Sequence, residues 1–215
     1  MTLAADLVAL LGRDRVLSEP LERYLYGTDA GVSRGEAVVV ALPDNSAEVA
    51  GVVKLARRHG TPIVPRGAGT GLAGGATPAR PALVVSLTRM TDVEIDHENH
   101  TAWVGPGVIN LDLSRLTAGM GYHFAPDPSS QSACTIGGNV ATATGIIARG
   151  IVPAALEIMD HRMTVAVERF VGAGFPTDAG AVLLAEVAGH GSAVEGEAAV
   201  VEEVAKHAPP ELSIF

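Results

Sequence analysis

The sequence predicts an α+β protein. Short apolar runs rich in valine alternate with stretches whose apolar residues recur every three or four positions, and between residues 60 and 110 the runs outnumber the helical stretches. A glycine-dense segment, "PRGAGTGLAGGATP" at 65–78, lies between two such runs and joins strand to strand with no helix of its own. With 215 residues, 47% of them hydrophobic, the chain is long enough to bury one good core or two modest ones.

Taken in order, "TLAADLVALLG" (2–12) reads as an amphipathic helix closed by Gly12, and "AVVVALP" (37–43) as a buried strand. The stretch "NSAEVAGVVKLARRHG" (45–60) reads as a helix with Val49, Val52, Val53 and Ala56 on its buried face. A capping box from Asn45 to Glu48 starts it, and Gly60 ends it. Strands follow at "PIVP" (62–65), "ALVVSL" (82–87), "DVEID" (92–96) and "TAWVGP" (101–106), then a helix over "NLDLSRLTAGM" (110–120). Beyond residue 150, "IVPAALEIMD" reads as strand and "RMTVAVERFVGAG" as helix. "AVLLAEVAG" reads as a second strand, and "SAVEGEAAVVEEVAKHA" as a helix with Val194, Ala198, Val201 and Ala205 as its buried stripe.

Composition excludes several classes. A net charge of -9, with three tyrosines, four phenylalanines and one tryptophan, is unsuited to a nucleic-acid surface, which needs clustered Lys and Arg interleaved with stacking aromatics. A lone cysteine, Cys134, rules out an internal disulfide and a cysteine-based zinc site, and reads as a small buried residue. The first fifteen residues carry an acid, Asp6, no basic leader and an apolar run too short for a signal peptide or a span. A cytoplasmic protein is therefore expected. His97 and His100 have a ligand-like spacing but fall in a polar turn, where exposed histidines are expected and no metal site. Glu157, Asp160 and Glu186 lie near strand ends, and no motif sets a histidine or nucleophile beside them.

The five glycines from Gly67 to Gly75 demand a reason. Glycine permits positive φ and lacks a Cβ, so such a loop can turn successive backbone N–H groups toward one point and admit an anion, most often phosphate. Gly69, Gly71 and Gly74 satisfy the spacing GxGxxG. That fingerprint works only where a helix begins at once, and Pro78 and Pro81 forbid it. There is no GK[ST] ending either, which removes the P-loop reading. The loop must bind through backbone amides. Further on, "PDPSS" reads as a rigid turn bearing hydroxyls and "IGGN" as a second place of close backbone approach.

Two segments in this order resemble the flavoproteins of the vanillyl-alcohol oxidase, or p-cresol methylhydroxylase (PCMH), type, and within them the branch of FAD-linked D-lactate dehydrogenases and the D chain of glycolate oxidase. "PRGAGTGLAGG" (65–75) is similar to that family's FAD pyrophosphate loop, and "APDPSSQSACTIGGNVA" (125–141) to its second flavin-binding segment. The likeness extends over residues 1–141. It implies that Arg66, Gly67, Ala68, Gly69, Thr70 and Gly71 wrap the pyrophosphate of FAD while Gly74 and Gly75 let the chain leave. It assigns Asp127, Pro128, Ser129, Ser130, Thr135, Gly137, Gly138 and Asn139 to the flavin-lining segments. Backbone N–H groups, the Thr70 hydroxyl and the Arg66 guanidinium are suitable partners for two phosphate charges.

The same resemblance implies a partial PCMH-type FAD-binding domain over 1–142 and a partial α+β cap, or substrate, domain over 143–215. It further implies that the two are joined across an internal deletion near Thr142–Gly145 and that a carboxy-terminal truncation is to be expected. The family's HxGDGNxHP-like run and glutamate–histidine pair, which serve its substrate chemistry, do not occur in the sequence, so no catalytic residue is assigned. Three functions stay open at this point. The first is a flavoenzyme oxidising a small 2-hydroxy acid, with FAD as hydride acceptor and a protein base taking the hydroxyl proton. The second is a non-catalytic flavin-binding or assembly subunit, and the third an inactive product of such a gene. Missing strands would leave unpaired edges, which predicts an oligomer or a heteromeric partner.

Overall fold

In the computed structural model, residues 2–124, 126, 128–147, 155–178, 181–186 and 212–214 are described. The Thr2 hydroxyl accepts the Ala5 N–H at 3.3 Å and starts α1 (Leu3–Leu11), and Gly12, at φ +91°, ends it. Four strands then form the first sheet: β1 (Val16–Leu17), β2 (Ala37–Ala41), β3 (Ile63–Arg66) and β4 (Ala82–Ser86). Their order is β1-β2-β4-β3, with β2, β4 and β3 parallel and β1 antiparallel at the edge. Every residue of β4 is buried, as a central strand covered on both faces requires.

Side chains alternate between the two faces of this sheet. On one, Val39, Ala41, Leu83 and Val85 meet Leu3, Leu7 and Leu11 of α1 and Val52 and Ala56 of α3 (Ser46–Arg58). On the other, Ala37, Val40 and Val84 meet Leu17 and Tyr26, the last residue of the short helix α2 (Pro20–Tyr26). The expected α3 face is partly corrected. Val52 and Ala56, four residues apart, are fully buried, whereas Val53, one helical step of 100° further round, is 44% exposed. The expected capping box is half formed. Asn45 Oδ1 accepts the Glu48 N–H at 3.0 Å, but the Glu48 carboxylate turns to Arg15 Nη1 at 2.6 Å and the Asp44 N–H at 2.8 Å, where a charged partner outweighs a neutral one. Asp6 ties α1 to α3 through His59 Nε2 at 2.7 Å and the Arg58 guanidinium.

The hairpin β5 (Val93–Asp96) and β6 (Thr101–Val104) is antiparallel, with His97 and His100 exposed in its turn. α4 (Asn110–Ala118) and α5 (Ile136–Ile147) follow, and Val108, Leu113 and Ile136 make a small core between them. The close backbone approach expected at "IGGN" falls in the first turn of a helix, which runs without a break through residues 142–145, the place of the expected junction. The second sheet holds β7 (Ala155–Asp160), β8 (Ala181–Glu186) and β9 (Leu212–Ile214), with α6 (His161–Val171) between the first two strands. Leu72 of the glycine loop packs on Met159 and Val182 of this sheet. The helix expected over 192–208 lies outside the described residues, and so do the side chains of Glu157, Asp160 and Glu186.

Candidate functional site

β3 and β4 run parallel and end together at Arg66 and Ser86, and the glycine loop leaves the sheet at the carboxyl ends of its strands. Open α/β sheets bind ligands at such ends. Here the Leu87 N–H closes the ladder on Arg66 O at 2.9 Å. Among the described residues, no backbone N–H from Gly67 to Gly71 donates to a protein acceptor; Gly67 to Thr70 are half-buried, where amides are ordinarily paired, and Gly71 is exposed. Gly69 sits at φ +75°, with the Arg66 guanidinium where its Cβ would be. Gly71 and Gly75 are different: neither has a positive φ, and a Cβ on either would meet no protein atom within 4 Å. Both are exposed and line a cavity of about 540 Å³, so neither glycine is required by packing within the protein.

The opposing wall comes from residues 128–139. Thr135 bridges to Ile109, and the first N–H groups of α5 are taken by protein. Ile136 N–H reaches Val108 O at 2.9 Å, Gly137 N–H reaches Pro106 O at 3.0 Å, and Gly138 N–H reaches Thr135 Oγ1 at 3.3 Å. A Cβ on Gly137 would lie 2.6 Å from Pro106 Cβ, so this glycine lets α5 press on the "VGPGV" turn. Among the described residues, the site's free donors therefore lie on the glycine loop and on Asn139, whose buried Nδ2 has no hydrogen-bond partner there.

Arg66 through Gly71 and Gly75 line the cavity, joined by Pro128, Ser130, Thr135, Gly137, Gly138 and Asn139. Gly74 stands behind it at φ +76°, its carbonyl accepting the Thr77 N–H at 3.0 Å. Ser129 is exposed beside the lining residues, and Asp127 lies outside the described residues. Arg66 is turned back under the loop. Its Nη1 donates to Thr28 O at 2.6 Å, its guanidinium lies 5.3 Å from the centre of the Tyr26 ring, and burial lowers its pKa against the pull of Tyr26 and Asp29. Cys134 is a buried wall residue, 3% exposed. Sequence reasoning missed Asp29 and Leu72 in this lining. The one local signal for Asp29 is a glycine two residues on, the pattern of an Asx turn, which forms with Gly31 N–H to Asp29 Oδ1 at 2.9 Å.

Residues 37–152, more than half of the chain, match the family model described as FAD binding domain. The chain belongs to the FAD-binding domain family. Residues 135–210 match a second model, FAD linked oxidases, C-terminal domain, so this is a protein of the FAD-linked oxidoreductases. It is 39% identical over 139 residues to glycolate oxidase subunit GlcD of Bacillus subtilis, covering 63% of this chain and 29% of that one. It is 40% identical over 110 residues to D-lactate dehydrogenase of Archaeoglobus fulgidus, covering 51% and 25%. With glycolate oxidase subunit GlcD of Escherichia coli K12 it is 28% identical over 260 residues, covering 80% and 52%. The chain thus spans about half or less of the length of these relatives. In the last comparison 80% of the 215 residues, about 172, are spread over 260 aligned positions, so about 88 positions of the relative face no residue here.

The fold is shared with alkyldihydroxyacetonephosphate synthase (TM-score 0.60, 23% identity, 66% of this chain and 29% of that one). It is also shared with p-cresol methylhydroxylase (TM-score 0.50, 25% identity, 55% and 24%). The cavity fits FAD, the family's cofactor. A diphosphate needs several donors and close backbone approach, and the loop offers N–H groups unpaired among the described residues together with two glycines, Gly71 and Gly75, at which the backbone is open on the cavity side. Among the described residues, no helix is long and apolar enough to cross a membrane, and no cluster of three His, Cys, Asp or Glu could hold a metal.

Proposed function

We propose that this chain binds FAD non-covalently, with the diphosphate on the Gly67–Gly71 loop and the flavin toward the wall from Pro128 to Asn139. The observation that carries this is the run of N–H groups from Gly67 to Gly71, unpaired among the described residues, at the edge of the 540 Å³ cavity. In this reading Gly67, Ala68, Gly69, Thr70 and Gly71 donate to the phosphates, Gly75 leaves room for them, and Asn139 Nδ2 donates to the cofactor. Ser130, Thr135, Gly137 and Gly138 shape the wall. Arg66, anchored by Nη1 to Thr28 O, sets its positive charge beneath the loop and keeps further N–H donors for the phosphates. Residues 1–142 serve as a partial FAD-binding domain and 143–215 as a partial cap domain.

FAD, when bound, supplies a two-electron acceptor for the carbon of a small hydroxy acid such as glycolate or D-lactate, the compounds in the names of the relatives. The protein's part of such a reaction is to hold the substrate carbon against the flavin and to take the hydroxyl proton. The 215 residues contain no histidine motif for that proton. Flavin binding without turnover by this chain alone is the function proposed, in the cytoplasm, in an oligomer or beside a partner subunit. Support for a partner comes from the about 88 relative positions without a counterpart and from the two-stranded β5–β6 hairpin, on which Trp103 is 78% exposed.

The chain reconstituted with excess FAD and given glycolate, D-lactate or D-2-hydroxyglutarate with a dye acceptor should reduce the dye no faster than free FAD does. Substrate-dependent reduction that disappears in Gly71→Val would show that a base is present after all. Sedimentation should give a species larger than one chain.

A further inference from the structure

Asp29 is the only acid lining the cavity among the described residues, and it is 9% exposed. An acid in a pocket for a doubly charged diphosphate is unfavourable unless it performs a task, because like charges repel strongly where water is scarce. Its position is held from several sides. The Asp29 N–H donates to Thr77 Oγ1 at 3.2 Å, Ala30 N–H donates to Gly71 O at 3.2 Å, and Thr28 O accepts Arg66 Nη1 at 2.6 Å. The segment is thus pinned to the glycine loop, and the carboxylate cannot withdraw from the cavity. Oδ1 is occupied by the Gly31 N–H at 2.9 Å. Oδ2 receives no donor among the described residues.

An ionised carboxylate only accepts hydrogen bonds, and Oδ2, which faces the cavity, can take a donor from the ligand in place of water. The diphosphate of FAD, a diester at both ends, has none to give at neutral pH. The groups next to the diphosphate do: the ribityl chain on one side and the ribose on the other carry hydroxyls. We propose that Asp29 is a second recognition residue of the cavity, whose Oδ2 accepts a hydrogen bond from a sugar or ribityl hydroxyl of FAD adjoining the diphosphate. The inference rests on the FAD reading above and adds to it a group that selects the polyol part of the ligand. Arg66, near enough for Asp29 to support its charge, keeps the acid from repelling the phosphates outright.

The test is calorimetric titration of FAD and of inorganic pyrophosphate into the wild-type chain and Asp29→Asn. Asparagine keeps the bond to Gly31 N–H but replaces Oδ2 by a donor without charge. FAD affinity should fall by about tenfold or more, the size expected for a lost hydrogen bond to a charged group, while pyrophosphate, which has no sugar or ribityl hydroxyl and carries more negative charge than the diphosphate of FAD, should bind several-fold more tightly once the acid is gone. The opposed directions are the signature. Both ligands tightening, or neither changing, would overturn the proposal and leave Asp29 as a brace for the loop. Asp29→Ser, which keeps a smaller acceptor, should fall between wild type and Asp29→Asn with FAD, and it decides the matter if Asp29→Asn does not fold. A wild-type chain that binds pyrophosphate but not FAD would overturn the FAD reading itself, and this inference with it.

Discussion

Gly67 lies so close to Thr135 that the Thr135 hydroxyl stands where a Cβ on Gly67 would be. This contact joins the two sequence-distant walls of the cavity, and it separates two kinds of glycine in one loop. Gly67→Ala should force Thr135 or the loop to shift, at about 1–3 kcal/mol of stability, and should weaken FAD binding as well. Gly71→Ala meets no protein atom, so its stability should stay within about 0.5 kcal/mol of wild type while FAD affinity falls by about tenfold or more. Denaturant unfolding alongside flavin titration checks the pair. Equal stability losses would show that Gly71 is structural.

Asn139 gives a prediction of opposite sign. Among the described residues its Nδ2 is buried without a partner, a condition that costs about 1–3 kcal/mol in the free protein. Asn139→Ala should therefore melt at the same temperature as wild type or higher without FAD, and bind FAD about tenfold more weakly. A lower melting temperature without FAD would mean that the amide is already satisfied by protein or water.

Much of this was legible in sequence, for local reasons. Thr2 and Asn45 mark the starts of α1 and α3, and the unbroken apolar run at 82–86 marks a strand buried on both faces. Helix α2 was not read, because it is only seven residues long: Leu21, Tyr24 and Leu25 have helical spacing but span a single turn, and all three are exposed in the fold. Its signals are Pro20 and the capping box from Glu19 to Glu22. α5 was hidden by Gly137 and Gly138, poor helix formers held there by Pro106 and Thr135. The loop glycines were readable as an anion cradle, but that residues 128–139 form the other wall came from family resemblance. Asp29 entered only with the tertiary structure, which brings residues 28–31 against the loop.

Acid stability follows from the pairing of α1 with α3. The hydrogen bond from His59, then the Arg58 guanidinium, hold the Asp6 carboxyl below its ordinary value of 3.8. Arg89 and Arg15 do the same for Asp44, and Arg15 with the Asp44 N–H for Glu48. A carboxyl depressed in the folded state adds stability that is fully present above its unfolded pKa and is lost as pH falls through the folded one. Wild type should therefore lose melting temperature steeply below pH 3.8. Asp6→Asn, less stable at pH 7, should approach it as the pH drops. A gap that stays constant from pH 7 to pH 3 would rule out this role for Asp6.

Everything proposed for the site depends on backbone amides of the Gly67–Gly71 loop holding FAD without a covalent bond. Titration of FAD into the folded chain, read by quenching of flavin fluorescence and followed by acid precipitation, tests it most directly. Saturable quenching at one site is expected, with the flavin recovered in the acid supernatant. No saturable quenching by a folded chain, or flavin that pellets with the denatured protein, would contradict it.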